Sequence, residues 1–248
     1  YEIPRGKNKI KLFLNYFSYA VSATLRALRL KDKYDVILVN QLSPVMMAIP
    51  AIIYKKKFNK KMLLYCLDLW PDSLAAGGVK RDSIIYKLFY KISKLIYNSA
   101  DLILVTSSMF EEYFRNVLKL DEVKINHLPQ YAEDLFTLNP EKDIFISEEN
   151  KIYKFVFAGN IGDMQSVETI IRAANELKET ENISFHIVGD GSRLEECKKL
   201  ANDLNVKNVS FYGRKPVEKM PGFYNMADAM LITLKADKAI SLTLPGKV

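Results

Sequence analysis

The sequence predicts an α/β protein of two Rossmann-like domains whose parallel sheets face each other across a cleft, both domains being incomplete here. Three observations predict it. Short apolar runs rich in Val, Ile, Leu and Phe alternate with segments of helical period, the pattern of strands covered on both faces by crossover helices. That alternation occurs twice, on either side of a polar, irregular stretch from Gln130 to about Asn150. The distinctive motifs all follow predicted strands directly, at the carboxyl edge where such sheets bind ligands.

The first element is a helix over Lys9–Leu30, which puts Leu14, Phe17, Val21, Leu25 and Leu28 on one side and basic residues at both ends. Asp35–Asn40 (DVILVN) reads as a strand, and PVMMAIPAIIYKK as a helix despite Pro50. Lys61–Cys66 is the next strand, and Asp82–Ala100 a helix opened by an Asp cap. DLILVTSS is a strand feeding the helix SMFEEYFRNVL, and VKINHLP a short strand stopped by Pro129. After the polar stretch come strand YKFVFAG, helix Val167–Lys178, strand ISFHIVGDG, helix Arg193–Leu204 and strand VSFYG. A helical turn at Pro221–Met226 and the strand AMLITL close the series, giving expected domains of 1–135 and 150–248.

The chain has 248 residues, 49% hydrophobic and 26% charged, with a formal charge of +7. The charge is front-loaded, at +10 up to Lys61 and −3 beyond it. Such a field suits an anionic partner, a lipid surface or a phosphorylated acceptor, or else is a solvated lysine surface. The basic end carries no nucleic-acid module, so nucleic acid is not expected as a partner. Cys66 and Cys197 read as small buried thiols of a reduced cytosol. No apolar run reaches the about 18 residues of a membrane span. A start at Tyr1 without Met and an end at LPGKV suggest a piece of a longer protein.

The motif that carries most chemistry is FVFAGNIGDMQ, Phe155–Gln165, where a strand meets a helix through Gly159 and Gly162. Such a turn is expected to offer bare backbone amides, and the helix behind it adds a partial positive charge, which together make an anion site. The alternative is a tight turn with no ligand. Five other loops follow strands in the same way: CLDLWPDSLAAGG, HLPQYAEDLF, GDGSRLEE, GRKPVEKMP and SLTLPGKV. Asp68, Trp70 and Asp72 form either a sugar platform with flanking carboxylates or a domain-edge anchor in which Asp72 caps the next helix. His127 and His186 fall in apolar strands and receive no catalytic role. No Asp-x-Asp dyad and no His/Cys cluster at ligand spacing calls for a metal, and no nucleophile elbow is present.

Taken in order, GN-I-G-x-x-Q, GDG, D-L-W-P and A-D-x-x-L…L-P-G-K resemble the bacterial family-4 retaining glycosyltransferases of the GT-B fold. The likeness covers nearly the whole chain and is greatest to the branch that builds capsule, O-antigen and colanic acid polysaccharides, including N-acetylfucosamine transferases. It implies transfer of a hexosyl or N-acetylhexosaminyl sugar from a nucleotide-sugar, UDP-linked, to a lipid-linked saccharide. The transfer would need neither a metal nor a further cofactor. The enzyme would sit in the cytoplasm, peripherally on the inner face of the plasma membrane, with helix Lys9–Leu30 against anionic headgroups. The second domain would bind the donor through Gly159, Asn160, Gly162, Gln165, Asp190, Gly191 and Lys215.

Many relatives in that family carry Lys-Gln-Gly where this chain has Met164-Gln165-Ser166, so a phosphate-seeking ammonium is missing. Lys247 of LPGKV, with Arg214 or Lys215, is expected to steady the departing diphosphate, and Asp68 to contact a sugar. The leaving diphosphate itself would take the acceptor's proton on the face of departure. Two other readings remain: a nucleotide-sugar epimerase of the same fold, and a non-catalytic nucleotide-binding module. A first strand with its glycine loop ahead of Tyr1, and the stretch after Val248 where such enzymes place the ribose-binding residue and a closing helix, would be lacking, so the chain alone is expected to be weakly active or inactive.

Overall fold

The computed structural model describes residues 3–4, 9–136, 151–237 and 240–245. The chain divides into two compact units, Tyr1–Gln130 with Asp237–Val248, and Tyr131–Ala236. The expected boundary fell within 135–150, mostly outside the described residues, and the expected second domain ran on to 248.

In the first unit, strands β1 (Val36–Gln41), β2 (Lys61–Cys66), β3 (Leu102–Val105) and β4 (Lys124–His127) form one parallel sheet in the order β1-β2-β3-β4. Register carries Val39 to Leu64 to Ile103 to Ile125 across it, a row of apolar side chains buried at the sheet's centre. Around the sheet lie α1 (Lys9–Arg29), α2 (Ile49–Phe58), α3 (Asp72–Ala76), α4 (Ile84–Asn98) and α5 (Met109–Glu112). The last continues as a π-helical turn over Tyr113–Val117.

The helix expected from Pro44 begins as a 3-10 turn over Val45–Ala48, and α2 takes Pro50 into its first turn. There the missing N–H has no intrahelical partner to lose. The cap of α4 is Ser83 and not the expected Asp82: its hydroxyl accepts from the Tyr86 amide at 3.2 Å. Helix α1 packs on α2 with its small residues Ala20 and Ala27 buried, while the side-chain amide of the buried Asn15 donates to the Ile3 carbonyl at 2.6 Å. Its apolar side stays open: Phe17 is 54% and Leu25 53% exposed, and Leu14, Val21 and Leu28 are exposed with them. Small residues let two helices approach closely, so the large ones were left facing outward.

The second unit repeats the plan. Strands β5 (Tyr153–Ala158), β6 (Ile183–Val188), β7 (Val209–Gly213) and β8 (Ala229–Met230) form a parallel sheet in the order β7-β6-β5-β8. Helices α6 (Glu168–Glu176) and α7 (Leu194–Asp203) cover one face, where Phe157, Ile171 and Ile187 are fully buried. Helix α8 (Met220–Met226) covers Val156, Ala158 and Val188 on the other. The expected strand AMLITL pairs over two residues only, Ala229 with Phe155 and Met230 with Val156. The chain then leaves the ladder and runs beside the turn that follows β5, the Lys235 amide donating to the Met164 carbonyl at 2.9 Å.

Candidate functional site

At the carboxyl edge of the second sheet, the loops after β5, β6 and β7 are stitched backbone to backbone. The Gly159 amide donates to the Val188 carbonyl (2.9 Å), the Ile161 amide to Asp190 (2.9 Å) and the Gly189 amide to Gly213 (3.0 Å). Glycine is required by this close approach. A Cβ on Gly191 would stand 2.4 Å from the Ile161 carbonyl oxygen, and Gly189 also has a φ of +142°. The structure therefore gathers Gly159, Asn160, Gly162, Gln165, Asp190 and Gly191, six residues singled out in the sequence, into one cluster.

The expectation of bare amides at the glycine pair needs correction. Gly162 is buried, and its amide donates to the Gln165 side-chain oxygen at 3.2 Å; that oxygen also accepts from the Asn160 side-chain amide at 3.1 Å. Gln165 thus braces the turn from inside. The Asp190 carboxylate likewise accepts the neighbouring Gly191 amide at 2.7 Å. Asn160 and Asp163, exposed in the same turn, have backbone amides that no described acceptor takes.

The positive charge beside this turn comes from residues the sequence did not single out. Lys235 Nζ lies 2.9 Å from the Asp163 carboxylate, both side chains about half exposed, and Thr233 fixes the segment by donating to the Gln165 carbonyl at 2.6 Å. This ammonium holds the Asp163 carboxyl below its usual range, and the charge of Arg193 adds to the effect. Arg193 itself pairs with Glu196 at 2.6 Å. Arg214 and Lys215 are exposed and follow Gly213 directly, so they stand at the end of β7, beyond β6. Lys247 lies outside the described residues. Lys235 sits 70 residues from Gln165 in sequence, and no motif announces that pairing.

In the first unit, Asp68 follows β2 and its carboxylate accepts from both the Ser43 and Ser73 hydroxyls. Its backbone carbonyl accepts from the fully buried Gln41 side chain at 3.1 Å. Asp68 thereby ties the loop after β1 to the loop after β2. Trp70 is no sugar platform: it is buried against Phe89, ring centroids 5.5 Å apart, and its indole N–H donates to Ser43 at 2.9 Å. Asp72 opens α3 and is buried, its carboxylate taking the Arg81 Nε–H at 2.8 Å, which is neither the sugar contact nor the helix cap of the two readings from sequence.

His186 bonds Tyr212 (2.8 Å) and Ser184 (2.9 Å), and burial holds its pKa low, as a satisfied interior imidazole. His127 is exposed at the end of β4, with its Nε2 3.3 Å from the Thr106 carbonyl. Cys66 and Cys197 are buried and unbridged; burial pushes the Cys66 thiol up to about 12. Among the described residues no group of three His, Cys, Asp or Glu side chains converges, and no helix is long and apolar enough to cross a membrane.

The two parallel sheets make the fold α/β, Rossmann-like in both units, and it is shared with glycosyltransferases of the GT-B type. Residues 140–243 match the family described as Glycosyl transferases group 1. The chain is 29% identical over 238 residues to a Pseudomonas aeruginosa protein named as a probable glycosyltransferase, WbjE, covering 93% of this chain and 57% of that protein. It is 22% identical over 261 residues to an Escherichia coli (strain K12) protein named "Putative colanic acid biosynthesis glycosyl transferase WcaI", covering 99% of this chain and 62% of that one. It thus spans less than two thirds of either relative. Among solved structures, Anabaena Alr3699/HepE in complex with UDP and glucose superposes with a TM-score of 0.62 at 14% identity, over 89% of this chain and 56% of that one.

Proposed function

We propose that this chain is part of a glycosyltransferase that moves a sugar from a UDP-linked donor to a lipid-linked polysaccharide precursor, with retention and without a metal. The observation that carries the reading is the coincidence of the family match with the stitched turns. The segment 140–243 that matches the group 1 glycosyl transferases contains the cluster after β5 and β6. The fold shared with HepE, whose structure holds UDP and glucose, supports a nucleotide-sugar as donor. The likeness to WcaI supports a polysaccharide product.

In this reading the diphosphate rests at Asn160 and Asp163, on the outer amides of the Gln165-braced turn, with Lys235 and Arg193 supplying the charge that the missing Lys-Gln-Gly lysine would have given. Asp190 and Gly191 border the nucleoside. Arg214, Lys215 and Lys247 are reserve cations for the departing diphosphate. As the bond from the anomeric carbon to the diphosphate oxygen breaks, the acceptor oxygen bonds to that carbon from the same face. Its proton passes to the leaving diphosphate. Asp68 acts by holding its two loops in place. The open apolar side of α1, flanked by Arg26, Arg29 and Lys31, is the membrane-facing surface, peripheral on the inner leaflet.

Thermal shift with UDP, GDP and dTDP sugars tests the donor, and the expected outcome is stabilisation by a UDP-sugar. Anomeric proton NMR of the product formed by the longer protein, with and without EDTA, tests retention and metal independence. No nucleotide binding by the chain or the longer protein would sink the reading.

A further inference from the structure

Helix α4 has an outer side that neither the core nor the donor site uses. Its inner side belongs to the core of the first unit, where Phe89, Ile96 and Tyr97 are buried. On the outer side Ile84 is 85% and Leu95 71% exposed, with Ile85 and Leu88 exposed beside them. At 3.6 residues per turn these four side chains fall within one arc of about 100°, so they form a single apolar row along a helix about 22 Å long. Exposed apolar residues standing singly are ordinary, but a contiguous row marks a contact surface.

Lys87, Lys91 and Lys94 run along one edge of that row, four and then three residues apart, and α4 contains no Asp or Glu. Lys87 and Lys91 are exposed and Lys94 is half-buried, and none of the three is ion-paired among the described residues. An apolar row with ammonium groups along its edge is complementary to the surface of an anionic bilayer. The apolar side chains enter the acyl boundary while the lysines reach the phosphates. A protein partner fits this face less well, because lysine is depleted in protein interfaces. A second copy of the same face would bring like charges together. Helix α1, with its own open apolar side, packs on the same 3-10 turn, Val45–Ala48, as α4. The unit therefore carries two apolar and basic faces on helices that share a support.

We propose that the outer face of α4 docks on an anionic phospholipid bilayer as a second contact beside α1, an assignment that rests on the peripheral-membrane reading above. Two marginal contacts on one unit reinforce each other, so losing either releases the chain. The test uses the 248-residue chain and vesicles of phosphatidylcholine with or without phosphatidylglycerol. The native Trp70 is buried, so a tryptophan placed on either face reports on that face. Emission from Leu95→Trp is expected to shift to the blue, and to be quenched by brominated lipid, on phosphatidylglycerol vesicles alone. Lys87→Gln with Lys91→Gln and Lys94→Gln should lower the vesicle partition coefficient about a hundredfold, roughly fivefold per lysine. Leu88→Ser with Leu95→Ser should lower it at least about tenfold. Neither set should move the melting temperature or change UDP affinity by as much as about twofold, because these side chains lie on the surface. If Phe17→Trp is quenched and Leu95→Trp is not, the α4 contact is overturned and the peripheral-membrane reading stands. If neither is quenched, both fall. Equal binding to vesicles without phosphatidylglycerol would also overturn the α4 contact. So would a dimer in light scattering that Leu88→Ser with Leu95→Ser turns into a monomer, since a second copy would then cover the face.

Discussion

Gly189 and Gly159 touch through their backbones: a Cβ added to Gly189 would fall 1.8 Å from the Gly159 carbonyl oxygen. No rotamer relieves such a clash, because both partners are main chain. Gly189→Ala should therefore cost about 3 kcal/mol or more of unfolding free energy in urea titrations, through overpacking plus strain at positive φ. Gly222, in α8 with nothing within 4 Å of its added Cβ, is the control. Gly222→Ala should be neutral or stabilising by up to about 1 kcal/mol. Equal effects at the two positions would refute the packing account.

Lys235 and Asp163 make a charge-swap test of the donor site. Removing the ammonium in Lys235→Ala should weaken UDP binding about tenfold, the worth of one charge-assisted hydrogen bond to an anion. Removing the competing carboxylate in Asp163→Asn should tighten it. Isothermal titration reads both, and the wild-type affinity should fall with added salt. If both substitutions move affinity in the same direction, the diphosphate lies elsewhere.

Asp101 links stability to pH. Burial by itself would raise its carboxyl, but the Lys55 ammonium at 2.6 Å, the Met62 amide at 2.8 Å and Lys61 at 3.1 Å outweigh it and bring the carboxyl down to about 2. A depressed folded-state pKa contributes stability above the unfolded value, about 3.9, and that contribution is lost as pH falls through the folded value. Between about pH 4 and pH 2 the wild type should lose on the order of 1–2 kcal/mol more than Asp101→Asn. Parallel pH profiles for the two proteins would contradict this.

The open side of α1 predicts binding to vesicles. Phe17→Ser with Leu25→Ser should abolish cosedimentation with anionic phospholipid vesicles, while folding stability changes by about 0.5 kcal/mol or less, because both side chains are already exposed. Undiminished cosedimentation would mean that this face meets something other than lipid.

Local chemistry was enough to read most strands and helices from the sequence alone, though the expected strand AMLITL pairs over Ala229 and Met230 only. Apolar runs such as Lys61–Cys66 and Tyr153–Ala158 can only be strands inside a covered sheet, and their loops must then emerge at one edge. Period alone also identified α1 and its apolar side. What period cannot specify is which side is covered, and here α1 buries the small Ala20 and Ala27 and leaves its large residues outside.

Only the tertiary structure decided which groups complete each site. The amide of Gly162 was free in the sequence and taken by Gln165 in space. Lys235 reached Asp163 from 72 residues away. The physical reason is that strand and turn propensity act over a few neighbours, whereas a hydrogen bond or an ion pair is chosen among all groups that folding brings within about 3 Å, and that choice exists only after both sheets have closed.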